Sequence, residues 1–169
     1  MPAYDFKQLS PQDFEDLTRD LLRAAWDTSV ESFGPGPDQG IDLRFAAAIG
    51  VGIVQCKHFA RSGFTKLLAH MEDEVLKVRR LSPDRYVLVT SLPLTPLQKD
   101  KLSAALAPHV RNTQDILGAG DLNSLLAKYP EVEKAHHKLW LTSTAVLERL
   151  VHAANHVSTD MLTRIIHRS

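Results

Sequence analysis

The chain has 169 residues, 44% of them apolar and 24% charged, a globular composition with a length suited to one core, or one domain with a small appendage. Twenty basic and twenty acidic residues cancel, so the whole chain lacks the net positive field that draws sequence-independent binders to phosphate. The single cysteine, Cys56, excludes an intramolecular disulfide framework and a multi-cysteine zinc site. No apolar run approaches the roughly 20 residues of a membrane span and Met1 to Lys7 lacks the parts of a signal peptide, so a cytoplasmic protein with no membrane partner is expected.

In chain order, Ser10 and Pro11 predict an N-cap and a first helical residue, and Phe14, Leu17, Leu21, Leu22 and Ala25 continue at helical spacing, giving a helix over 11–26. Val30 to Phe33 reads as a short strand. The cluster Gly34-Pro35-Gly36-Pro37, with Gly40 beyond it, reads as a tight loop. Ile41-Asp42-Leu43-Arg44-Phe45 alternates apolar and charged residues as a half-buried strand does, and after a turn near Ile49-Gly50 the segment Val51 to Lys57 predicts another. A helix over 64–80 and a buried strand over Tyr86 to Thr90 follow, completing the order αβββαβ.

Thr95 and Pro96 start a further helix that runs up to Pro108. Beyond it, Asp121 is placed to cap a helix over Leu122 to Lys128, Pro130 opens one over Glu131 to Trp140, and a long one passes Val146 and Leu150 to Ile166, with a break near Val157-Ser158. The expected fold is therefore α/β, with an αβββαβ core in residues 1–108 and a mostly helical extension in 109–169.

Charge is unevenly distributed. Residues 1–60 carry five bases and nine acids, 61–100 seven and five, and 101–169 eight and six. The acidic first third holds the residues that suggest chemistry. Side chains alternate along a strand, so Gln55 and Lys57 share one face, opposite Val54 and Cys56. If strands 41–45 and 51–57 pair as a hairpin, Asp42, Gln55 and Lys57 converge at one edge of the sheet. A carboxylate, an amide oxygen and backbone carbonyls are hard ligands for Mg²⁺, and a neighbouring ammonium can position a water. That outlines hydrolytic phosphodiester chemistry.

Phe14-Glu15-Asp16-Leu17, then Gly40-Ile41-Asp42-Leu43 behind its Gly/Pro loop, then Val54-Gln55-Cys56-Lys57 with Gln55 13 residues after Asp42, form an ordered set that resembles the catalytic domain of Mrr-type restriction endonucleases, in the PD-(D/E)XK superfamily, over roughly residues 5–106. The resemblance implies a restriction-endonuclease-like fold and a Mg²⁺-dependent endodeoxyribonuclease of the type IV class, with Mn²⁺ as a substitute ion and double-stranded DNA as partner. It implies that Asp42, Gln55, Lys57 and Glu15 are catalytic, and that Asp42, Glu15, Gln55 and the carbonyl of Cys56 hold the metal. Glutamine stands where the superfamily usually has a second acid. Asp38 reads as a loop acid that caps its turn, against an auxiliary metal or water-positioning role. Cys56 should face the core and take no nucleophilic part.

Arg44, Arg61, Lys66, Lys77, Arg79 and Arg80 are candidate contacts to the DNA backbone, against a reading as solvated surface. His58 reads as a surface residue at a strand end, and the pairs His136-His137 and His152-His156 lack the third ligand of a zinc motif. Asp115-Ile116-Leu117-Gly118, Lys128-Tyr129-Pro130-Glu131 and Lys138-Leu139-Trp140-Leu141 resemble the segment between such a nuclease and a STAND-type NTPase in bacterial antiphage defence proteins. That implies an N-terminal effector, self-association as a dimer or tetramer when active, and downstream NTPase and sensor domains; no Gly-x-x-x-x-Gly-Lys loop occurs in these 169 residues. The alternative expectation is a catalytically silent nuclease-like module for DNA binding or oligomerisation.

Overall fold

A computed structural model describes residues 3–33, 42–59, 61–141 and 144–166. The loop 34–41, with Asp38, lies outside the described residues. The first helix, α1 (Pro11–Trp26), begins as the sequence dictates: Ser10 Oγ accepts from the Asp13 amide at 3.1 Å, and Pro11 occupies a position whose N–H has no partner in any helix. Its apolar stripe of Phe14, Leu17, Leu21 and Leu22 is buried.

Strands β1 (Val30–Ser32), β2 (Leu43–Ala46) and β3 (Val51–Lys57) form an antiparallel meander; helix α2 (Phe64–Leu81) then crosses to β4 (Arg85–Thr90), parallel to β3. The β2–β3 register sets Leu43 opposite Val54 and Phe45 opposite Gly52. Gly52 is required there: a Cβ would meet the Phe45 ring within 2.5 Å at three atoms. At the turn before β3, Gly50 takes a φ of +83°, open to glycine at no steric cost.

Helix α3 (Pro96–Ala105) follows, with a capping box in which Thr95 and Gln98 exchange side-chain and backbone hydrogen bonds. A fifth strand, β5 (Ile116–Leu117), pairs parallel with β4 and completes the order β1-β2-β3-β4-β5. Two residues are too few to show a period of two, so the sequence pattern carried no sign of it. Helix α4 (Ala119–Lys128) has its N-cap at Gly118 rather than at Asp121; the Asp121 carboxylate reaches back from the first turn to accept from the Gly118 amide at 2.8 Å. The helix expected over 131–140 is two, α5 (Pro130–Ala135) and α6 (His137–Leu141), parted at His136. The last, α7 (Thr144–Ile166), runs without the expected break at Val157-Ser158. No helix among the described residues is long and apolar enough to cross a membrane.

The sheet separates two cores. On one face, Leu43, Phe45, Val54, Val87 and Val89 pack with the buried stripe of α1 and with Leu122, Leu126, Val132 and Leu139 from α4 to α6. On the other, Ile53, Tyr86, Leu88 and Ile116 pack with Leu67, Met71 and Val78 of α2 and with Leu102 and Leu106. The core thus draws on residues beyond 108: β5 extends the sheet, and His136 Nε2 and Lys138 Nζ reach Asp20 and Asp13 of α1 at 2.7 and 3.1 Å.

Candidate active site

The β2–β3 hairpin forms as the alternation predicts, and Asp42, immediately before β2, lies beside the end of β3: its Oδ2 accepts from the Cys56 amide at 2.6 Å. Burial is the largest influence on its carboxyl group and holds it above the ordinary carboxylate range, with the charge of Glu74 adding to the effect and the Cys56 N–H and Lys57 opposing it. Lys57 closes β3, half-buried.

Glu15 comes from α1, one residue after Phe14 of the helix's buried stripe; it is half-buried and lies near enough to Asp42 to feel its charge. Its Oε1 is buried without a hydrogen-bond partner. Burial first, then the charges of Asp42 and Asp16, push its carboxyl up to about 7, against Arg19. A buried oxygen with no donor is costly and is expected where a site awaits a ligand. Two carboxylates, of which Asp42 raises Glu15 by its charge, together with backbone oxygen from Cys56, whose amide meets Asp42, form a donor set that fits a small hard cation. Among the described residues no group of three or more His, Cys, Asp or Glu gathers in metal-binding geometry, so such an ion would rest on these two acids, backbone oxygen and water.

A family model for a restriction endonuclease catalytic domain matches residues 6–92, from the turn before α1 through the strand after α2. The chain belongs to the Mrr-type restriction endonuclease family. An uncharacterized protein of Sinorhizobium fredii, y4cD, is 49% identical over 148 residues, which make up 88% of this chain and 23% of that protein; the chain spans about a quarter of that relative's length. No solved structure matches the chain.

Within this Mrr-type domain, Gln55 is only 2% exposed and points to the α2 face of the sheet. Its Nε2 donates to Glu74 Oε2 at 3.0 Å and its Oε1 accepts from the Tyr86 hydroxyl. Sequence reading missed both partners. Glu74 occupies a position of the buried stripe Leu67, Met71, Glu74, Val78 of α2, and an acid at the spacing of a core face was the signal that could have found it. Lys77 Nζ donates to Glu74 Oε1 at 2.7 Å, and His70 Nε2 lies 3.8 Å from the same oxygen. Burial would raise the Glu74 carboxyl, but the hydrogen bonds from Lys77 and Gln55 and the charge of Lys57 prevail and hold it below the ordinary range.

Cys56 packs against the α1 core and burial pushes its thiol well up, which suits a structural cysteine. His58 is part-buried, not on the surface: its Nε2 donates to the Phe6 carbonyl at 3.2 Å and its ring meets Phe14 edge-on. Of the six basic candidates, Arg44 pairs with Glu31 and lies over Phe33 at the β1 edge, and Lys77 serves Glu74; Arg61, Lys66, Arg79 and Arg80 are exposed. His152 and His156 face each other on α7, with no third ligand among the described residues.

Proposed function

We propose that this restriction endonuclease domain is the catalytic part of a Mg²⁺-dependent enzyme, with Mn²⁺ as an alternative ion, that hydrolyses phosphodiester bonds of double-stranded DNA. The observation that carries the reading is the partnerless Glu15 oxygen beside Asp42 at the end of the strand that bears Lys57. Glu15, Asp42 and the Cys56 carbonyl would hold the ion, with Gln55 behind them. Bound there, a divalent cation supplies charge for the phosphate oxygens and acidifies a water.

The chain's own residues do the rest. Asp42 is oriented by the Cys56 amide, which fixes one carboxylate oxygen and leaves the other available. Lys57 carries its ammonium at the strand end, where it orients the attacking water and offsets the charge gathering on the phosphate. Exposed Arg61 and Lys66, between β3 and the first turn of α2, are placed to meet the DNA backbone beside that point.

The reading extends to an effector role in a larger bacterial antiphage protein that carries a STAND-type NTPase; of this, the relative's greater length bears only on size, since the chain covers 23% of it. In this reading the nuclease unit continues through α6, and α7 is the connector. Its exposed Leu147, Leu150, Val151, Val157 and Met161 favour self-association. The deciding experiment is plasmid nicking in Mg²⁺ against an EDTA control, with Lys57→Ala in parallel. Cleavage that requires the metal and is lost in the folded variant is expected; cleavage by Lys57→Ala at the parental rate would sink the assignment.

A further inference from the structure

We propose that Glu74 is a positioning residue of the active site, acting with Tyr86 to hold the Gln55 amide in one orientation at the strand end. The inference rests on the catalytic reading above and extends it to a side chain on α2.

A side-chain amide is nearly symmetric in shape, so its orientation is set by its partners. Here the partners differ in kind. The Glu74 carboxylate can only accept, so it takes the Gln55 NH₂; the Tyr86 hydroxyl donates to the Gln55 carbonyl from the neighbouring strand. A flipped amide would set carbonyl against carboxylate in a place shielded from water, where Gln55 and Glu74 are 2% and 5% exposed. Lys77 completes the chain from the protein surface and keeps Glu74 anionic.

A structural purpose alone does not require this arrangement. A carboxylate on the buried stripe of α2 is costly, and a leucine or methionine there would continue the face that Leu67, Met71 and Val78 already present. What the charge adds lies at the site. Glu74 attracts Lys57 and repels negative charge on Asp42. Gln55 is itself neutral, so Glu74 supplies the negative charge on this side of Lys57.

The test compares the parent chain with Glu74→Gln, Tyr86→Phe and the exchange Gln55→Glu/Glu74→Gln, using nicking kinetics, thermal unfolding and the NMR resonances of the Gln55 side-chain amide. Glu74→Gln is expected to lower kcat about 10–100-fold with KM for DNA changed less than about threefold, the size seen when a supporting partner of a metal site is removed. The exchange restores one acid and one amide with their hydrogen bond reversed, and is expected to regain most of that loss. Both Glu74→Gln and Tyr86→Phe should move the Gln55 amide resonances while unfolding stays cooperative. Parental kcat in a folded Glu74→Gln protein overturns the proposal, as does an exchange variant no more active than Glu74→Gln. If the parent itself cuts no DNA, the catalytic reading fails, and the resonances alone decide the clamp: an unmoved Gln55 amide in Glu74→Gln refutes it.

Discussion

Glu15 reaches the end of β3 from α1 on one face of the sheet, and Glu74 reaches the same region from α2 on the other. Both carboxylates leave water, and burial raises both. They end on opposite sides of the ordinary range because Glu74 gains Lys77 and Gln55 as donors, whereas a Glu15 oxygen gains none and faces two like charges. Burial sets the cost of a charge and partners decide whether it is met. Glu74, with its bonds in place, suits the supporting role proposed for it, and Glu15, with an oxygen left without a partner, suits the proposed role of ligand.

The sharpest way to break this comparison is at Asp42, the acid whose charge raises Glu15. In Asp42→Asn the amide oxygen still accepts from Cys56, so the fold should survive, while nicking in Mg²⁺ should fall on the order of 10³-fold. Plasmid assays beside thermal unfolding check this; a folded variant that cuts well would remove Asp42 from the chemistry.

A smaller effect is expected from Glu15→Gln, read as stability in EDTA. A carboxyl whose folded-state value is raised to about 7 favours folding only while protonated. Its contribution is full below the unfolded value near 4.5 and is lost as pH rises through about 7. Glutamine cannot ionise, so the variant should be more stable than the parent by about 1–2 kcal/mol at pH 8, after allowance for solvent screening, and nearly equal to it at pH 4. Urea unfolding at the two pH values measures the difference, and equal stabilities at pH 8 would place Glu15 in water.

The smallest effect belongs to Lys77→Ala. Its ammonium is half exposed, so the pair with Glu74 should contribute no more than about 1 kcal/mol. The amide from Gln55 remains, and nicking should drop far less than in Glu74→Gln. A loss as large as that of Glu74→Gln would mean that Lys77 itself bears on the reaction.

Much of the fold was legible because its signals are local and periodic. Alternation in Ile41 to Phe45, and the strand read over Val51 to Lys57 beyond the turn at Ile49-Gly50, pointed to the hairpin, and that hairpin brings Asp42 to the backbone of Cys56. Helical spacing after Ser10 and Pro11 gave α1 and with it Glu15. What escaped depends on distant residues. Strand β5 exists because β4 offers it an edge. Tyr86 reads in sequence as one more apolar member of a buried strand, and the Gln55 carbonyl that its hydroxyl meets lies 31 residues away in the chain. An acid on an amphipathic helix is ordinarily in water, and the burial of Glu74 is created by the sheet beneath it.

The clasp between α1 and the residues after β5 bears on how the chain should be shortened. Tyr4 exchanges backbone hydrogen bonds with the Asn123 side chain, and its hydroxyl donates to Glu133; His136 and Lys138 grip Asp20 and Asp13. A polypeptide ended at residue 108 would bare Phe14, Leu17 and Leu21 where Leu122, Leu126 and Leu139 now cover them. It would also loosen the helix on which Glu15 rides. A shortened chain that keeps this clasp therefore has to run through Leu139, so that the helix carrying Glu15 stays packed as it is here.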